Sequence, residues 1–226
     1  MATKDWDRYV GTAKVLVVGH DPRLQKSNTM ADFCFFANYY FDQVDDPQYL
    51  KKRALAKSVF EFVGDISGGK YRDPEIYITN LCNDPLPSAP KGKTVYIPNA
   101  KALQGLEHIR DVLYKTNIEV IFAMSEQVNY WLQELGFYDS QDGYRNDAKP
   151  KRAGTESHPR YYAPSVNGCF KKICGNEYKA DNRHSIFPIL HVKNYPPEGR
   201  FLTYRPSYDR MRTTVSTLKM THEGVD

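Results

Sequence analysis

Two features predict an α/β protein built as three layers, α/β/α, around a central, mainly parallel four-stranded sheet. Four short runs of β-branched, aliphatic and aromatic residues read as strands buried on both faces. Between them lie longer stretches whose apolar residues recur at helical spacing, and such alternation implies parallel strands joined by helical crossovers. The chain has 226 residues, enough to bury a real core in one domain, and its 41% hydrophobic content and mean hydropathy of -0.63 describe a soluble protein. No apolar run approaches the roughly 20 residues that span a bilayer, so no membrane association is expected. The opening Met1-Ala2-Thr3-Lys4-Asp5 lacks a signal-peptide core, which points to the cytoplasm.

The first strand is Val15-Leu16-Val17-Val18, closed by Gly19-His20-Asp21-Pro22. An Asp-Pro there sets a carboxylate on a stiff turn at the carboxyl end of a strand, where open α/β sheets hold their ligands. From Pro47 to Ile66, Leu50, Ala54, Leu55, Val59, Phe62, Val63 and Ile66 line one helix face, and Gly68-Gly69 supplies the stop. The second strand, Ile76-Tyr77-Ile78-Thr79, runs into Asn80-Leu81-Cys82-Asn83-Asp84-Pro85. A helix begins near Asn99, an N-cap after Pro98, with Leu103, Leu106, Ile109, Val112 and Leu113 on one face. The third strand is Val120-Ile121-Phe122-Ala123-Met124; a helix from Ser125 then buries Val128, Trp131, Leu132 and Leu135 before Gly136.

From about 137 to 185 the rhythm breaks into a polar stretch that carries Lys149-Pro150-Lys151-Arg152, a long loop or insertion within the single domain 1–226. The fourth strand, Ile186-Phe187-Pro188-Ile189-Leu190, ends at His191, with Pro188 an awkward member of a central strand. A terminal helix runs from Ser207 through Leu218.

Cys34, Cys82, Cys169 and Cys174 are too scattered for a disulfide framework, and the C-x4-C of the last two lacks a second ligand pair, so neither metal nor cofactor is expected. The chain holds no G-x-G-x-x-G and no P-loop, which argues against a dinucleotide oxidoreductase and an NTPase. A net charge of +4 permits phosphate contact without demanding it, while 17 Tyr and 11 Phe interleaved with Lys and Arg suit stacking on exposed bases.

Asp21, Asn80 and His191 each follow a predicted strand. In a parallel sheet they reach one rim, giving an acid, an amide and an imidazole a common place to act. These segments resemble the uracil-DNA glycosylase superfamily in order. Gly19-His20-Asp21-Pro22 is similar to its first motif, Tyr77-Ile78-Thr79-Asn80-Leu81-Cys82 to its second strand, and Val120 through Ser125 to its third strand and helix start. His191 stands where its last motif carries a histidine.

The resemblance implies that Asp21 positions the attacking water, that Gly19, His20 and Asn80 bind the base, and that His191 stabilises it as it departs. Phe33, with Phe35 second, would stack on the base. Where the family continues from His into Pro, a small polar residue and an apolar wedge, this chain has Val192-Lys193-Asn194-Tyr195-Pro196-Pro197; Tyr195 would serve as the wedge, Lys193 would meet a phosphate, and these two with Asn194 would contact DNA. The four cysteines of the cluster-bearing members are not reproduced, so no iron–sulfur cluster is expected. The implied partner is DNA carrying a uracil or damaged base, bound by a monomer. Two other readings stay open: an inactive nucleic-acid or nucleotide-binding protein on the same fold, and an unrelated α/β hydrolase or transferase acting on a nucleotide.

Overall fold

A computed structural model of the chain describes residues 11–20, 47–72, 75–82, 84, 86, 94–140, 161–162 and 169–218. The four expected parallel strands are β1 (Val15–Gly19), β2 (Ile76–Asn80), β4 (Val120–Met124) and β7 (Ser185–Ile189). A fifth, β6 (Tyr178–Lys179), joins antiparallel at the edge, so the order is β2-β1-β4-β7-β6. At two residues, β6 is too short to show a periodic pattern in sequence. A separate antiparallel ribbon pairs β3 (Thr94–Val95) with β5 (Tyr161–Tyr162).

The helices are α1 (Pro47–Ile66), α2 (Asn99–Lys115), α3 (Glu126–Glu134), α4 (Cys169–Ile173) and α5 (Arg205–Thr217). Right-handed crossovers fix their faces. The β1-to-β2 step runs one way along the sheet and the steps to β4 and β7 run the other, so α1 lies on one face and α2 and α3 on the opposite one. Helix α5 returns to the α1 side, where Phe62 of α1 sits 6.2 Å from Tyr208 of α5 and 5.1 Å from Phe122 of β4. Three layers result. Phe62, Phe122 and Phe187 are at most 1% exposed, each contributing roughly 1.5–3 kcal/mol of hydrophobic burial.

Pro188 is accommodated by the phase of the ladder. Ser185 N–H donates to Glu119 and Ser125 N–H donates to Ile189, so residues 185, 187 and 189 turn their backbone groups toward β4. Pro188 faces the other side, beyond the end of the short β6, and only its carbonyl is used there, accepting from Gly175 N–H at 2.8 Å. The missing N–H costs the sheet nothing.

Boundaries differ slightly from expectation. Asn99 is the first helical residue, and Pro98 occupies the N-cap with no side-chain cap bond. Helix α5 starts at Arg205, with Pro206 in its first turn where a missing N–H is harmless. Gly136 ends α3 at φ 70°, with Phe137 N–H bonding back to Leu132 at 2.8 Å. The described part of the polar stretch supplies β5, α4 and β6; its basic run 149–152 lies outside the described residues. Among the described residues no helix is long and apolar enough to cross a membrane.

Candidate functional site

The chain winds from β1 to β2 in one direction and then passes back to β4 in the other, so the reversal falls between β1 and β4. Open sheets accept ligands beyond the carboxyl ends at such a reversal, where the diverging connections leave a crevice. The register defines the last row of residues there. Gly19 pairs with Asn80 and Met124 with Ile189; one step past the Val18–Ala123 pair sets Gly19 beside Met124. Gly19 continues the extended strand and has no positive φ, so its contribution is a missing side chain. The row therefore has a notch between Asn80 and Met124, at the point of reversal.

Asn80 is held firmly at that notch. It is 2% exposed, and the pairing of its strand with β1 continues past it, with Leu81 N–H on the Gly19 carbonyl at 2.9 Å and Cys82 N–H on the His20 carbonyl at 3.0 Å. From the other side α2 presses backbone on backbone. A Cβ at Gly105 would lie 1.7 Å from the Leu81 carbonyl oxygen, so only glycine permits this approach.

His191 lies across the gap. Asn80 ends β2 and His191 follows β7, strands three spacings apart, about 14 Å at the level of the backbone, so the two lie on opposite sides of the reversal. Two tyrosines anchor the His191 segment. Before it, the Tyr208 hydroxyl accepts from Leu190 N–H at 2.9 Å. After it, the Tyr195 ring packs 5.1 Å from Phe62 and 5.4 Å from Tyr208, and its hydroxyl bonds to Asp65. Arg212 closes that clasp, reaching Asp65 at 2.6 Å and the Tyr195 hydroxyl at 2.8 Å. His191 caps the 3-10 turn Val192–Asn194, its Nδ1 accepting from Lys193 N–H at 3.2 Å. A neutral ring used this way carries its proton on Nε2.

Ser125, between β4 and α3, has φ 78° and ψ 157°, a conformation normally reserved for glycine. It occupies the N-cap without a side-chain cap bond, and among the described residues its buried Oγ has no hydrogen-bond partner. Behind it, Gln127 ties α3 to the β3 segment, accepting from Ile97 N–H at 2.5 Å and donating to the Val95 carbonyl at 3.0 Å.

Of the residues singled out in sequence, Gly19 and Asn80 pair at this rim, His20 follows Gly19, and His191 follows β7, three strands from Asn80. Lys193 is exposed on the turn beside it, Asn194 is half-buried, and the Tyr195 ring is engaged within the fold. Asp21, Phe33 and Phe35 lie outside the described residues. Sequence reading missed Gly105, Tyr208 and the Ser125 conformation. Gly105 was detectable as a glycine interrupting an otherwise strong helix, whereas a positive φ at serine leaves no sequence signal.

Among the described residues no group of three or more His, Cys, Asp or Glu side chains converges as a metal site. Cys82 and Cys174 are buried thiols outside any disulfide, and burial pushes the Cys174 thiol up to about 12, far from a reactive thiolate. No protein-family model and no curated protein matches the chain, so no family is assigned on that ground.

Proposed function

We propose that the chain is a glycosylase-type hydrolase that cleaves the N-glycosidic bond of uracil or another damaged base in DNA. The observation that carries this reading is the terminal row of the sheet: buried Asn80 beside the side-chain-free Gly19, at the reversal of winding. A carboxamide presents a donor and an acceptor together, which is what the edge of a nucleobase requires. His191 adds an imidazole whose Nδ1 accepts from the Lys193 N–H, and a ring fixed in this way suits an oxygen gaining negative charge as the base leaves. Asp21, next to His20 in the chain, takes the role of positioning water against a sugar that becomes positive. Lys193, exposed on the following turn, suits a phosphate contact. The order of the four sequence motifs supports the same assignment.

The engaged Tyr195 ring favours a second reading. A residue packed on Phe62 and Tyr208 supplies no wedge for a duplex, which suits a single-stranded ligand or a binding protein without activity. Incubation with a single-stranded oligonucleotide carrying one uracil, followed by alkali, separates these readings. The glycosylase gives strand breaks, reduced at least about 100-fold in Asp21→Asn and His191→Ala. Salt-sensitive binding with no breaks identifies the binding protein instead. Neither result would return the search to small nucleotides.

A further inference from the structure

Ser125 holds a glycine-type backbone conformation at the edge of the crevice, and its own hydroxyl does not secure it. Its main-chain groups are held by neighbours, the carbonyl by the Asn129 backbone N–H at 3.3 Å as well as by the shorter side-chain bond of the same residue. Its N–H donates to Ile189 at 2.8 Å, and its carbonyl accepts from the Asn129 side chain, also at 2.8 Å. The same Asn129 amide nitrogen donates to the Ala123 carbonyl at 2.8 Å, so one buried carboxamide ties the end of β4 to the residue after it. Both Nδ2 hydrogens are thereby used. The Oδ1 accepts from the Tyr138 hydroxyl at 2.8 Å, which accepts in turn from Gln133 Nε2 at 3.0 Å; Ser140 Oγ donates to Gln133 Oε1 at 2.7 Å. All four side chains are buried, and each bond fixes the orientation of the next.

We infer that Asn129 is a positioning residue for the crevice: its amide holds the Ser125 turn in a conformation serine does not keep unaided, and so sets where β4 ends and α3 begins against the ligand. This rests on reading the rim as the base site, but the brace can be tested without substrate. A carboxamide serving only to fill the core would act independently of residue 125. One serving to hold that turn becomes dispensable once residue 125 is glycine, which adopts the conformation freely.

The test is a double-mutant cycle of Asn129→Leu and Ser125→Gly, read by melting temperature and by kcat/KM on the uracil oligonucleotide. In the native background Asn129→Leu is expected to lower kcat/KM about 100-fold and to depress the melting temperature. In the Ser125→Gly background it should cost less than about tenfold, with most of the melting loss recovered. Additive effects in both readouts would overturn the inference. Thermal coupling without kinetic rescue would show that the brace serves only the fold, which also overturns it. Should Asn129→Leu fail to fold, Tyr138→Phe removes the donor to Oδ1 and should show the same dependence on Ser125→Gly on a smaller scale. A native protein that releases no base defeats the glycosylase reading alone, because thermal coupling still decides whether Asn129 holds the turn.

Discussion

The two ends of the sheet are built differently. At the amino end, charged and polar groups answer one another. The Glu75 carbonyl accepts from Lys14 and Val15 N–H, and the Tyr71 hydroxyl donates to Glu119 at 3.3 Å. Glu177, Lys179 and Ser185 form a closed set of contacts at 2.7 Å, and Asp181 grips buried His184 at Nδ1. At the carboxyl end there is a glycine notch, a serine in a strained turn, and an imidazole whose segment is fixed by aromatic rings on either side. Groups already paired to their neighbours stabilise a fold and have little left to offer a ligand; among the described residues of the amino end the exception is His184, whose buried Nε2 has no partner. The contrast explains why the carboxyl rim is the candidate site although both ends are polar.

The sharpest way to break the contrast is to crowd the carboxyl rim. Gly105→Ala places a methyl against the Leu81 carbonyl, a backbone atom held by its own N–H on Gly19. Neither side can yield cheaply, so a loss of about 3 kcal/mol is expected, seen as a lower denaturation midpoint with an unchanged slope. Asn80 must shift with Leu81, so base release should fall beyond what the lost stability explains.

Next in size is Tyr208→Phe. The ring and its packing stay, but the buried Leu190 N–H loses its acceptor, at a cost of about 1–3 kcal/mol. In a chain of this length that lowers Tm by several degrees. The amino-end counterpart, Tyr71→Phe, removes a longer bond, 3.3 Å, to a carboxylate that is only partly buried, and should cost less. Equal losses would erase the distinction between the two ends.

The sheet was legible because its parallel strands are unbroken apolar runs, and Gly19, Asn80 and His191 were legible because each follows such a run. What escaped the sequence is long-range. No local pattern shows that Gly105 touches Leu81, that the Tyr208 hydroxyl meets Leu190, or that β6 completes the edge with two residues. Pro188, awkward in a strand that was nonetheless expected, is explained for a related reason. Whether a proline is tolerated depends on which neighbour its missing N–H would have faced, and that is set by the ladder's phase. Tyr195, expected as a wedge, shows how an aromatic beside a site can be used by the core: only packing distinguishes the two.

At the amino end, Asp181→Asn tests the claim that paired charges do the stabilising. Burial pushes the Asp181 carboxyl up, but the Arg183 and His184 backbone N–H groups and the His184 ring pull it down further, so the net shift is downward. A carboxyl depressed on folding stabilises above its ordinary value of 3.8, and that contribution disappears as pH falls through the folded value. The Tm difference between native protein and Asp181→Asn should therefore be full near pH 6 and shrink toward pH 3. Base release should be unaffected at either background stability, since the residue sits at the opposite end from the crevice.

The smallest effect should come from Arg212→Ala, which removes the cation from the clasp that follows His191. Arg212 and Asp65 are about half exposed, with side-chain accessibilities of 45% and 51%, so the pair is screened by water and salt and should contribute less than about 1 kcal/mol. The Tyr195 ring stays on Phe62 and Tyr208 without it, and ring packing does not weaken with salt. Adding salt to about 0.5 M should therefore reduce the Arg212→Ala difference to near zero and leave the Tyr208→Phe difference intact. A large loss in Arg212→Ala that fades as salt is added would mean that the carboxyl rim, like the amino end, is held by its charges.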